Sequence, residues 1–196
     1  MTMTCKLLRA ACLFLLLCAG VARAAGSEGI FVTLPQGGKS AALTAEEIAS
    51  GKEAEFSVEG PQPMSVTLRR NSPNGVSILV LAGDLGWNLA YELPQGMHGF
   101  GEYGELEAQF TLEAALGSFG GRTVLFIASG DRTALLSVAL FVYAPGKDRL
   151  FAPAGLIQGQ RRIEARADGE IHAPYGSQGL FERYRLEDSV SVRKIE

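Results

Sequence analysis

Short runs in which apolar and polar residues alternate, cut at brief intervals by glycine or proline, restrict the fold of this chain more than any other feature of its sequence. The cleanest run places Leu106, Ala108, Phe110 and Leu112 on one face and Glu105, Glu107, Gln109, Thr111 and Glu113 on the other. A period of two is the signature of a strand with one buried face, so the acidic side of this run is expected to be solvated. Val66 and Leu68 follow the same rule. Val76–Ala82 and Val124–Ala128 are nearly continuous apolar runs, which suit strands covered on both faces, and the core is expected around Val80 and Phe126.

Turn signals separate these runs: Asn74-Gly75, Gly83-Asp84, Pro94-Gln95-Gly96, Gly120-Gly121, Gly130-Asp131, Pro145-Gly146, Asp168-Gly169 and Gly176 to Gly179. Asp168-Gly169 suits a type I′ turn, which needs two residues of positive φ, and it predicts a hairpin joining Arg161–Ala167 to Glu170–Ala173. One short helix is expected over residues 44–50. Thr44 is its N-cap, Glu47 closes a capping box, Ile48 is apolar inside it and Gly51 stands just past its end. The rest reads as strand, so the expected class is all-β: an antiparallel sandwich, a barrel or a propeller-like fragment.

The first 24 residues follow a different logic. Lys6 and Arg9 precede an apolar stretch from Ala10 to Ala22, and Ala22-Arg23-Ala24 has the small-x-small form of a cleavage site. The apolar stretch is shorter than the roughly 20 residues needed to span a bilayer. A cleaved secretory signal over residues 1–24 is therefore expected, with a single domain over 25–196 in a periplasmic or secreted location. Cys18 follows Leu17, and Cys12 has Arg9 three residues ahead, so neither has the small residue before it and the aliphatic residue further back that acylation needs.

Cleavage would carry off Cys5, Cys12 and Cys18, the three cysteines of the chain. A protein without a thiol has no thiol catalysis, thiolate metal site or redox couple, and no cofactor or metal is expected. Cleavage would also remove Lys6, Arg9 and Arg23 and no acid, leaving fifteen basic residues against twenty-one acidic ones. An acidic exported chain is a poor partner for nucleic acid. Beyond residue 24 no apolar run is long enough to span a membrane, and 172 of the 196 residues remain, enough for one domain with its own core.

Several constellations bear on chemistry. Gly37-Gly38-Lys39-Ser40 follows an apolar run, but a phosphate-binding loop needs glycine where Thr33 stands, and Pro35 stiffens the turn. The loop Gly96–Gly104 carries His98, Phe100, Glu102 and Tyr103 between glycines and offers backbone donors and aromatic surface to a ligand; its ordinary reading is a mobile connection. His172 and Tyr175 lie on the second arm of the Asp168-Gly169 hairpin with Ser177 following, yet Gly176-Ser177-Gln178-Gly179 lacks the Gly-x-Ser-x-Gly elbow of a nucleophile. Glu105 and Glu107 share a solvated face, which leaves a carboxylate-dependent hydrolase as an alternative. Arg161, Arg162, Arg166, Arg183, Arg185, Arg193 and Lys194 crowd the last quarter, where cross-strand pairing with Glu164, Glu170 and Glu182 is the ordinary explanation.

The C-terminal third has a recognisable rhythm. An apolar strand Arg122–Ala128 leads to Gly130-Asp131, then Val138–Tyr143, the turn and return strand Pro145–Phe151, Arg162–Ala167, the Asp-Gly hairpin, Tyr184–Leu186 and Val190–Val192. Residues 122–195 resemble the terminal blade-like repeats of bacterial periplasmic proteins related to the FG-GAP β-propellers, some of which are lysozyme inhibitors or immunity proteins. Those repeats place an acidic calcium loop ahead of the first strand, whereas Leu116-Gly117-Ser118-Phe119-Gly120-Gly121 contains no acid. The resemblance implies a periplasmic binding protein with a loop that enters an enzyme cleft, and 94–104 and 173–180 are the candidate loops. The expected partner is another protein, such as a cell-wall hydrolase, or a cell-wall component; the third alternative is an assembly subunit of an envelope complex.

Overall fold

In the computed structural model, which describes residues 29–35, 37–73, 75–93, 110–131, 136–160, 162–176 and 178–196, the alternating runs become strands of three stacked sheets. The middle sheet has the order β10-β9-β8-β7-β2, formed by β2 (Lys39–Thr44), β7 (Phe110–Phe119), β8 (Arg122–Asp131), β9 (Leu136–Tyr143) and β10 (Phe151–Gly159). One outer sheet is the meander β3 (Ala54–Val58), β4 (Met64–Ser72), β5 (Gly75–Ala82) and β6 (Leu85–Glu92). The other has the order β1-β11-β12-β13-β14, from β1 (Val32–Thr33), β11 (Ile163–Ala165), β12 (Glu170–Tyr175), β13 (Leu180–Leu186) and β14 (Val192–Ile195). Pairing is antiparallel throughout except for β1 with β11. The fold is an all-β sandwich with open sheets, as expected from the sequence. The strands of residues 122–195 divide between the middle sheet and the C-terminal sheet.

Two cores result, one on each face of the middle sheet. Leu112, Ala114, Leu116, Leu125 and Ile127 meet Val66, Leu68, Val76, Ile78 and Val80 of the β3–β6 sheet. From the opposite face, Ala115, Phe119, Val124, Phe126 and Ala128 meet Ile163, Ala165, Ile171 and Ala173 of the C-terminal sheet. Val80 and Phe126 are both fully buried, where the sequence placed the core. Trp87 joins the first pair of sheets by packing on Phe141 and Phe151, and the Tyr91 hydroxyl adds a 2.6 Å hydrogen bond with Ser129 Oγ.

Two expectations about faces are corrected. Thr111 and Glu113 are buried, because the side of β7 that alternation marked as solvated is covered by residues 29–33 and the C-terminal sheet. Residues 105–109 lie outside the described residues. Conversely, β5 belongs to an outer sheet: Leu81 on its outward side is 44% exposed, and buried Ser77 meets Asn88 of β6 there. A run apolar on both sides therefore needs only one covered face.

Local signals held more closely. The helix α1 (Ala45–Ala49) has Thr44 as N-cap and both hydrogen bonds of the capping box, with Gly51 past its end at φ +76°. Thr44→Ala is expected to cost about 1 kcal/mol in a urea unfolding measurement, because it frees the Glu47 amide. At the β11–β12 hairpin only Gly169 has positive φ, so the type I′ expectation is corrected. The Gly169 amide donates to Arg166 O at 3.0 Å and the Arg166 amide to Glu170 O at 2.8 Å. This is a three-residue loop with the glycine in the left-handed position.

Candidate functional site

The β12–β13 hairpin runs past the edge of the sandwich. Along β12, Ile171 and Ala173 point inward and are buried, while the next residue of that face, Tyr175, is 43% exposed. Its cross-strand partner is Leu180 (49% exposed), and on the other face Pro174 opposes Phe181 (49% exposed). Isolated exposed apolar residues are common, but three large ones on a single hairpin end make a patch with no cover among the described residues.

The tip is tethered. The Gln160 amide donates to Pro174 O at 3.1 Å, and Gln160 Oε1 accepts from the Gly176 amide at 2.7 Å. Proline fits this place in β12 because the β11 pairing ends at His172 and the side facing Gln160 carries no strand ladder. Gly176 (φ +67°) and Gly179 (φ +72°) give the loop the positive φ values it needs, while Ser177 lies outside the described residues. A loop held at both ends loses little freedom when it binds.

Below the tip, the outward face of the C-terminal sheet is a lattice of ion pairs around Glu170. Arg185 Nη2 donates to Glu170 Oε1, Arg183 Nη1 lies 4.0 Å from Oε2, and His172 Nε2 lies 3.5 Å from Oε2. The Arg185 hydrogen bond, ahead of the smaller effects of His172 and Arg183, holds the Glu170 carboxyl below its ordinary range. Arg166 pairs with Glu164 at 3.5 Å and Arg193 with Glu187 at 2.8 Å. The expected cross-strand pairing is thus present, and exposed pairs of this kind set register more than stability. Lys194 and Glu182 pair on the other face, where Tyr184 donates to Glu182 Oε2. Burial, reinforced by Glu182, pushes the Tyr184 hydroxyl up to about 12.

The predicted site residues do not converge. His98, Phe100, Glu102 and Tyr103 lie outside the described residues. His172 is half-buried on the outward face, its ring stacked on Phe181 with centroids 4.6 Å apart, while Tyr175 belongs to the opposite face. Arg161 lies outside the described residues, and Arg162 holds the Gly29 carbonyl. Among the described residues no three His, Cys, Asp or Glu side chains gather as a metal site, and no helix is long and apolar enough to cross a membrane. Leu180 and Phe181 were not singled out from the sequence. Their signal was adjacency: two large apolar residues side by side after Gly179 cannot both face one core.

The hairpin end therefore carries apolar side chains on both faces, Tyr175 and Leu180 on one and Phe181 stacked on His172 on the other, with no activated nucleophile among them. No protein-family model, curated protein or solved structure matches the chain.

Proposed function

We propose that this is an exported binding protein that engages another protein of the cell envelope, with the tip of the β12–β13 hairpin as the element that enters the partner. The observation that carries the reading is the exposure of Tyr175, Leu180 and Phe181 on a hairpin tied back through Gln160. A few large apolar side chains supply most of the binding energy in protein interfaces, and a tethered hairpin presents them at low entropic cost. The signal-like residues 1–24 support export. The resemblance of residues 122–195 to propeller-related periplasmic inhibitors favours a cell-wall hydrolase of the lysozyme class as the partner.

The test compares the wild-type chain with a Leu180→Ser/Phe181→Ser variant, immobilised and exposed to lysozyme and to envelope extract. The tip lies outside the cores, so the variant should keep the wild-type unfolding midpoint. It should retain at most a tenth as much partner, since each lost anchor is worth about 2 kcal/mol. Equal capture by both proteins, or turnover of peptidoglycan by the purified chain, overturns the proposal.

A further inference from the structure

The most unusual side chain in the molecule is far from the hairpin. Glu113, on strand β7 of the middle sheet, is fully buried and faces the second core. Its cross-strand neighbours are Ala42 and Ala128, two small residues that leave room above the carboxyl group. Residues 29–33 fill that room. The Phe31 amide donates to Glu113 Oε2 at 2.6 Å, and the Ile30 and Val32 amides and the Ser40 hydroxyl also face the carboxyl group. Oε1 completes no hydrogen bond and lies against Gly29, where a Cβ would run into both Oε1 and the Val32 carbonyl oxygen.

The same five residues are held from the other side. Ile163 donates to Phe31 O at 2.8 Å, β1 pairs with β11, and Arg162 Nη2 donates to Gly29 O. β1 is only two residues long and is the one parallel strand, so its ladder alone holds it weakly. The carboxyl group of Glu113 is the main polar anchor between this strap and the middle sheet.

We propose that residues 29–33 form a latch seated on Glu113, which closes the edge of the C-terminal sheet and loosens as the surrounding pH rises. Burial is the largest influence on the seated carboxyl and pushes it above its ordinary range, with the Phe31 amide, Ser40, and the Val32 and Ile30 amides acting in the opposite direction. Unseating the strap returns Glu113 to water and to its ordinary value, so seating takes up a proton. The latch is therefore tightest below the ordinary carboxyl range, weakens as pH climbs through the seated value, and levels off above it. Oε1, the oxygen without a donor, is the place for that proton. The other groups packed around the site are unable to mask this titration. β2 brings Ser40 and Ala42, β8 brings Ala128, and the described strap brings no ionisable side chain; Arg162 is the charged neighbour, held on the Gly29 carbonyl.

Amide hydrogen exchange on the purified chain tests the latch. Protection of the Ile163 and Phe31 amides, each referenced to Phe126 in the core, should fall between pH 4.5 and 8, by about tenfold for each unit separating the seated and unseated pKa of Glu113. In Glu113→Gln the dependence should vanish, because the amide side chain keeps the shape and cannot titrate. Gly29→Ala should lower protection at both amides at every pH while leaving Phe126 unchanged. Protection in the wild type that is flat with pH, or the same dependence in Glu113→Gln, overturns the latch.

Discussion

Cutting Phe126 back to alanine is expected to cost about 3–5 kcal/mol, and cutting its neighbour Ile127 back to alanine about 2–5 kcal/mol, as read from urea unfolding curves. Neighbours along a strand point to opposite faces, so in a two-layer sandwich one of the pair would meet solvent and change stability by no more than about 0.5 kcal/mol. Here both are large. Phe126 is fully buried in the second core, edge-on to Phe119 at 5.8 Å, and Ile127 is 2% exposed in the first core. The two side chains belong to different cores, so the double variant should lose more than either single variant. A cost of under about 1 kcal/mol at either position would mean that one of the two outer sheets does not cover the middle sheet.

Replacing Trp87 with alanine is expected to cost about 3 kcal/mol, because the indole is the main wedge between β6 and the rim of the middle sheet. Its ring centroid lies 5.7 Å from that of Phe141 and 5.3 Å from that of Phe151, and Tyr143 packs in turn on Phe151 at 5.6 Å. Trp87→Phe should restore more than half of the loss, since a smaller ring still packs against both phenylalanines. Trp87 is also the one tryptophan of the chain, so the wild type reports on this contact directly. Its emission should shift to the red in the same urea range as the loss of β circular dichroism; a shift at clearly lower urea would mean that the β3–β6 sheet opens separately.

Much of the architecture was legible because its causes are local. The capping box at Thr44 and Glu47 is written within four residues, and Gly51 ends the helix for a reason that needs nothing beyond its own φ. Alternation likewise marked Val66, Leu68 and Phe110 as inward-facing, and all three are buried. What the sequence could not show is which polar face a distant segment will cover. Glu113 alternates with Leu112 as any half-exposed strand residue would, and its cover comes from residues 82 positions earlier in the chain. A signal lay just beyond it, in Ala114-Ala115-Leu116-Gly117, where alternation stops and small residues take over on both faces. Gly117 confirms the crowding, since a Cβ there would come within 3.0 Å of Gly38 Cα.

The candidate site was legible only in outline. The loop 173–180 was visible as a hairpin end, but choosing its contact residues needed the point at which the sandwich stops beneath β12. That point separates Ala173, 1% exposed, from Tyr175 two residues on. It also needed Gln160, whose side chain reaches the tip from a separate connection and leaves no trace in local pattern.

The placement of β1 carries a consequence for how the chain reaches this state. A ribosome delivers Gly29 early, yet the Arg162 group that holds it lies 133 positions later, and Glu113 follows Phe31 by 82. The hairpins β7–β8–β9–β10 are joined by short connections and close quickly, whereas contacts across such long separations carry a large loop-closure cost. The first described segment to be synthesised is thus among the last to be seated. Until then the Glu113 carboxyl stays hydrated and the free edge of β11 stays open, so the five residues expected to seat late are the same ones that the proposed latch releases first.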